Sequence, residues 1–321
     1  MTNNKQLSSI FLIVFIDLLG FSLILPLLPY YAETFGASPF ITGLLVAVYA
    51  AAQLIGAPLL GRLSDRLGRR PVLLVSIAGN LLGFVILAMA NSLWILFLAR
   101  ILAGLTGGNI SVAQAYISDV TDQSNRAKGL GLIGAAFGLG FIIGPALGGI
   151  LSKWGFAVPA LLAAALSLLN LVLVWRWLPE SLTPEKRAQL SIQSKPSFSI
   201  GLLFQTLRRP VVGPLLHTRF FYGMAFTLLT TIFPLFGQMR FDLDSTSTGY
   251  VLAYVGLLST ITQGFLIGKM TKRFSESNLI FWAVLTLVFA MLGWALAPSI
   301  AWLLVVMAPV SVAGGVLNTV I

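Results

Sequence analysis

Two ionisable residues stand where an apolar chain should carry none. Asp17 lies in the middle of the first long hydrophobic run and Arg100 in the middle of the fourth. Each costs roughly 2.5–3.5 kcal/mol at the centre of a membrane helix. Such residues face a water-filled cavity or one another, and they are functional by default. Asp17 has what a proton carrier needs: a carboxyl in a low-dielectric setting, whose proton occupancy changes when an arginine moves or a cationic substrate arrives. The two formal charges cancel, so a structural ion pair is the competing reading. Asp17 sits about nine residues from one membrane face and Arg100 about six to seven from the other, so at 1.5 Å per residue contact is allowed but not required.

Other polar side chains recur on the same helices. Arg100, Gly104, Gly107, Ser111 and Gln114 follow one another at three or four residues, which puts them on one helical face and makes a plausible cavity wall. The second half has no central acid or base, and Thr227, Thr230, Thr231, Gln263 and Asn318 are its polar candidates. Ser111, Gln114, Thr227, Thr231 and Gln263 are therefore the candidate contacts for a small-molecule substrate. His217 is the single histidine and reads as an interfacial residue beside Arg219. With no cysteine, metal-ligand cluster, nucleophile–base set or phosphate loop, the sequence offers no metal site, cofactor or enzymatic reaction.

The elements that must position these residues are membrane helices. Hydrophobic residues make up 57% of the chain and charged residues 9%, against about a quarter charged in soluble proteins. Ten apolar runs, near 9–31, 40–60, 71–90, 93–116, 128–151, 156–178, 211–236, 246–268, 279–297 and 299–321, are each long enough to cross a hydrocarbon core. Spanning segments must satisfy their own backbone, so they are helices and the fold is an all-α multi-pass membrane protein. The first run has no small-residue cleavage site and reads as a retained helix. A net charge of +10 could suggest nucleic acid, but the connections argue for a bilayer. Apart from Arg100, only Lys153 and Arg240 fall on one side, and every other lysine and arginine falls on the opposite side. That asymmetry places the N-terminus in the cytoplasm of a cell, or inner, membrane.

One connection is dense in charge. Gly61-Arg-Leu-Ser-Asp65-Arg66-Leu-Gly68-Arg69-Arg70-Pro71 reads as a short basic turn between the second and third runs, and Gly268-Lys-Met-Thr-Lys-Arg-Phe-Ser-Glu-Ser-Asn278 occupies the matching place in the second half. Pro29 matches Pro234 in the same way, so the chain is a duplication. Residues 1–178 form an N-terminal six-helix bundle, 179–210 a polar cytoplasmic linker, and 211–321 a C-terminal bundle of four helices. Phe198–Arg209 within the linker reads either as a surface helix or as a mobile segment. A six-plus-six repeat expects twelve helices, of which ten are present; a truncated gene is the favoured explanation, a protein without the last hairpin the other. The fifth run is rich in glycine, and its outer half, Gly140-Phe-Ile-Ile-Gly144-Pro145-Ala-Leu-Gly148-Gly149, makes a smooth seam fit for an extracellular gate or for ordinary close packing.

On these motifs the chain resembles the major facilitator superfamily, specifically the twelve-helix drug:proton antiporters, and within them it looks closest to the tetracycline efflux pumps. Gly61–Pro71 fits the cytoplasmic signature between helices 2 and 3. Asp17-Leu-Leu-Gly-Phe-Ser-Leu-Ile-Leu-Pro26 fits the first-helix signature, Arg100-x-x-x-Gly104 the fourth-helix one, and Gly140–Gly149 the fifth-helix signature shared by antiporters. The resemblance implies two bundles of inverted repeats that rock around a substrate site. It implies that Asp65 holds an inner gate against a helix 11 beyond Ile321, that Arg69 pairs with Asp119, and that Arg100 takes part in proton coupling. Gly61, Arg66, Gly68 and Arg70 complete that gate signature. Two positions depart from the tetracycline pumps: Gly83 stands where they carry an acid, and Ser259 where they carry a histidine, while Gln263 matches.

The sequence therefore reads as a monomeric, proton-coupled exporter of small lipophilic compounds. An uptake symporter or facilitator of the same fold is the nearest alternative, separated by whether intact cells accumulate or lose the compound. A non-transporting sensor or truncated remnant is the other, and a longer coding sequence would remove its main support.

Overall fold

The computed structural model describes residues 3–123, 125–183, 185, 187, 200–210 and 212–320. Among them, ten helices are long and apolar enough to cross a membrane. They are α1 (Gln6–Glu33), α2 (Pro39–Leu67), α3 (Arg69–Ala88), α4 (Leu93–Val120), α5 (Gly129–Trp154), α6 (Ala157–Trp177), α7 (Val212–Phe241), α8 (Ser245–Arg273), α9 (Glu276–Ala295) and α10 (Ile300–Val320). Among the described residues there is no strand.

The chain divides into two compact units: residues 1–194 with 245–250, and residues 195–244 with 251–321. In the first, α1 packs between α5 and α6, α3 lies against α4 and α6, and α2 against α4. Lipid is as apolar as leucine, so close approach and van der Waals contact hold such helices together. Glycine supplies that approach where α2 meets α4: a Cβ at Gly56 would collide with the Leu105 backbone, and one at Gly104 with Tyr49 and Ala52.

Two apolar cores fill this unit. One gathers Ile10, Ile13, Leu73, Ile77, Tyr116 and Val174, and the other Leu23, Leu28, Leu45, Phe84, Leu96 and Ala163. Asp17, Asn109 and Asn170, on α1, α4 and α6, lie among residues of the first core, and Asn80 on α3 and Thr106 on α4 continue from Asp17 by hydrogen bonds.

The structure differs from the sequence reading at the helix ends. Gly61–Leu67 is no turn: α2 runs unbroken to Leu67, and Gly68 alone, at φ 109° and ψ 159°, separates it from α3. Arg62, Asp65 and Arg66 are therefore helical, at the spacing that lets Asp65 reach Arg69. In the second unit α8 likewise continues to Arg273, through a π-helical stretch at Thr262–Leu266. Its helix α9 packs chiefly on α10. A short helix, Ile200–Leu207, leans on the start of α7, where a Cβ at Gly213 would strike the Leu207 carbonyl. Phe198 and Ser199 of the expected surface helix, and Lys186 and Lys195 of the linker, lie outside the described residues.

Candidate proton and gate sites

Asp17 is fixed by an amide. Asn80 Nδ2 on α3 donates to Asp17 Oδ1 at 3.2 Å. The Thr106 hydroxyl on α4 reaches Asn80 Oδ1 at 3.3 Å and the Leu102 carbonyl at 2.9 Å. The Ser76 hydroxyl closes the chain by donating to the Thr106 carbonyl. Asn109, also on α4, brings its side chain close to the same carboxyl. Asparagines in apolar helices look ordinary in sequence, so Asn80, Asn109 and Asn170 are not among the site residues the sequence suggests. Only the packing of α1, α3, α4 and α6 brings them together around Asp17.

An Asp17–Arg100 ion pair, the competing reading of the sequence, is absent from the ion pairs among the described residues. Arg100 is 3% exposed, and its guanidinium lies over the Tyr49 ring, 4.0 Å from the centroid. The attraction of the ring face replaces a counter-ion. Its Nε and Nη2 are buried without a hydrogen-bond partner. Tyr49 continues into an aromatic row, with Phe21 at 5.5 Å and Phe141 a further 6.5 Å on, centroid to centroid. Beside it Gln53 Nε2 donates to the Gly107 carbonyl at 2.8 Å, where α4 is interrupted at Gly107–Gly108.

That interruption corrects the expected single stripe on α4. Arg100, Gly104 and Gly107 face α2 and are buried, whereas Ser111 and Gln114, past the break, are exposed. Ser111 turns its hydroxyl back to the Gly108 carbonyl at 2.7 Å. The two halves of the stripe therefore belong to different surfaces. In the second unit Thr227 is exposed, while Thr231 and Gln263 are half-buried, Gln263 within the π-helical stretch.

At the end of α2 the charges converge. Arg69 Nη1 meets Asp65 Oδ1 at 2.7 Å and donates to Ser64 Oγ at 2.7 Å, while Arg69 Nε meets Asp119 Oδ2 at 2.9 Å. Arg69 is 5% exposed, so this pairing is sheltered from water. Removing one partner from a buried pair of this kind costs about 3–5 kcal/mol. Glu180, missed in the sequence because it looks like part of a polar linker, caps α3. Its Oε1 accepts from Arg69 N at 2.9 Å and its Oε2 from Arg70 N at 3.1 Å, which satisfies free amides at the positive end of the helix. The same carboxylate takes Ser181 N at 3.0 Å and Leu182 N at 3.1 Å. Ser181 Oγ reaches Asp119 at 3.1 Å, Tyr116 OH the Pro179 carbonyl at 3.0 Å, and Arg70 Nη2 the Trp175 carbonyl at 2.5 Å. The start of the linker is thereby stitched onto the α2–α3 junction, whereas Gly61 has open space around it.

The glycines of α5 face α1. A Cβ at Gly140 would touch Leu18, one at Gly144 would collide with Ser22, and one at Gly148 with the Leu23 carbonyl. Ser22 Oγ donates to the Gly140 carbonyl at 2.7 Å. Farther along, Gly149 and Pro145 abut residues 245–250 of the same unit: Thr246 Oγ1 donates to the Gly149 carbonyl at 2.7 Å, and Ser152 and Ser245 share a hydrogen bond of 2.7 Å.

Comparison with known proteins places these features in a family. Residues 10–321 match the model of the Major Facilitator Superfamily. The chain is 37% identical to the class C tetracycline resistance protein of Escherichia coli over 93% of this chain and 77% of that protein. It is 38% identical to the class D tetracycline resistance protein of Salmonella ordonez over 87% and 70%, respectively. The crystal structure of the human organic anion transporter MFSD10 (TETRAN) superposes with a TM-score of 0.74 at 26% identity, covering 100% of this chain and 85% of that one. Ten apolar helices, a motif-bearing α2–α3 junction and relatives among the tetracycline resistance proteins converge on one assignment: the chain belongs to the Major Facilitator Superfamily and is a multi-pass membrane transporter.

Proposed function

We propose that this transporter exports small lipophilic compounds in exchange for protons, by alternating access, with Asp17 carrying the proton. The observation that supports the reading most is the placement of Asp17. Of the chain's 10 acidic residues it is the one well inside a spanning helix rather than near an end, and it is held by an uncharged amide rather than by an arginine. A carboxyl without a salt-bridge partner can gain and lose a proton without breaking an ion pair. Arg100, seated on Tyr49 with two unpartnered nitrogens, is free to receive an acceptor when the helices move, and so to report on Asp17. The Asp65–Arg69–Asp119 set would lock the cytoplasmic side, and the α5 seam at Gly140, Gly144, Pro145, Gly148 and Gly149 would close the outer side. Ser111 and Gln114 in one unit, and Thr227, Thr231 and Gln263 in the other, are the proposed substrate contacts. The protein would act as a monomer in the inner membrane with its N-terminus in the cytoplasm.

The relatives named tetracycline resistance proteins make tetracycline the first compound to try. Gly83 and Ser259, which depart from those pumps, leave room for other lipophilic compounds. Everted vesicles with an acid lumen test the reading. The wild type should accumulate labelled tetracycline or another drug of a panel, and dissipating the proton gradient should stop it. Uptake that only equilibrates the compound, at a rate indifferent to the gradient, would make the protein a facilitator.

A further inference from the structure

Beside Asp17 the first unit holds a small cavity. Its polar lining is Asp17, Asn109 and Asn170, and the rest is apolar, from residues such as Ile13, Leu73 and Ala113. Two buried amide atoms lack a hydrogen-bond partner there: Asn109 Nδ2, a donor, and Asn170 Oδ1, an acceptor. Asn109 is 7% exposed and Asn170 0%. The Asn170 amide has its orientation set, because its Nδ2 donates to the Ile13 carbonyl at 2.9 Å. The cavity measures about 10 Å³, the room of one water molecule. Buried polar groups almost always find a partner, in protein or in ordered water.

We propose that this cavity is a binding site for a single water, held by Asn109 and Asn170, that serves as the hydrogen-bond partner of Asp17 in both of its proton states. The water would accept from Asn109 Nδ2 and donate to Asn170 Oδ1. One O–H and one lone pair then remain for Asp17. Facing a carboxylate the O–H donates, and facing a carboxylic acid the lone pair accepts. Asn80 cannot make that exchange, since it offers Asp17 only an N–H. The site therefore allows one half-buried carboxyl to exist charged and neutral without leaving a polar atom unpaired in either state. No bond of the water is broken, and the proton comes and goes on the carboxyl itself, whose far side meets Asn80 rather than the water. Asn109 and Asn170 are positioning residues acting through this water.

The inference rests on the reading of Asp17 as the proton carrier. The charged surroundings are few. Tyr49 on α2 is within electrostatic reach of Asp17, with Arg100 of α4 behind it. The charged residues of α3, α5 and α6, namely Arg69, Arg70, Lys153 and Arg176, stand at helix ends.

The test is an experimental structure that shows ordered waters, combined with infrared titration of the Asp17 carboxyl band, which Asp17→Asn identifies by removing it. The expected result is a density peak within hydrogen-bond distance of Asn109 Nδ2, Asn170 Oδ1 and Asp17. Asn109→Leu removes the donor feeding the water and Asn170→Leu the acceptor it feeds. The two variants should displace the carboxyl titration by about tenfold in proton concentration, in opposite senses, and Asn109→Ser and Asn170→Ser should restore it. An empty site, or leucine variants that titrate like the wild type, would overturn the proposal. If the leucine variants do not fold, the wild-type density decides. Drug-driven proton movement is a separate measurement, so a protein that holds the water but moves no proton would sink the carrier reading alone.

Discussion

The two copies of the basic segment have diverged into different objects. In the first, the half-buried Asp65, Asp119 and Glu180 gather around the buried Gly68 and Arg69, so that backbone amides, guanidinium and carboxylates satisfy one another. In the second, Lys272 stands at the place of Asp65, residues 271–278 are exposed, and a Cβ at Gly268 would meet nothing within 4 Å. Neither ion pair among the described residues involves it. Helix α9 is capped instead by Ser275, whose Oγ accepts from Asn278 N at 3.4 Å. Duplication supplied two basic helix ends, and only the one with a nearby acid on α4 and a glutamate after α6 holds the carboxylates of the proposed lock. Positive charge alone orients a helix end at the membrane; the added carboxylates tie it to its neighbours.

The largest contrast is expected at the glycines. Gly68 sits at φ 109° and ψ 159°, which other residues adopt at a cost of about 1–3 kcal/mol, and a Cβ there would also collide with the Glu180 carboxylate. Gly68→Ala should lower the unfolding temperature in detergent and cut efflux more than tenfold. The helical Gly268 should tolerate Ala or gain about 0.5–1 kcal/mol from it. Equal effects at the two sites would end the comparison.

Next in size comes the guanidinium. Arg69→Lys keeps the charge but cannot serve Asp65, Ser64 and Asp119 together, so efflux should fall by about tenfold. Arg273→Lys should leave transport within about twofold, since surface substitutions of this kind are close to neutral.

The smallest effect concerns the cap. Glu180→Ala should cost about 1 kcal/mol, as lost helix caps do, and Glu276→Ala at the exposed start of α9 a few tenths. The chain has no cysteine, so Ser181→Cys gives a unique label. Its modification by a thiol reagent should quicken when Glu180 is removed, and an unchanged rate would mean the linker is held by something else.

The sequence made the helices legible because charge is so costly in a bilayer that Arg62–Arg70 and Lys269–Arg273 had to mark helix ends. Asp17 and Arg100 stand out for the same reason. Their relation does not, because distance along two helices fixes neither rotation nor the rival partner, and Tyr49 takes the arginine. Asn80, Asn109 and Asn170 are invisible as a set, since an amide among leucines has no one-dimensional pattern. Nor can the pattern locate the break at Gly107–Gly108, where a regular three-to-four spacing of small residues runs straight through and hides the change of face.

The most direct test of the central claim is drug-triggered proton movement in acidified everted vesicles, wild type beside Asp17→Asn. If Asp17 carries the proton, adding tetracycline or another exported drug alkalinises the wild-type lumen and leaves the variant's unchanged. Alkalinisation of equal size in Asp17→Asn would contradict the account.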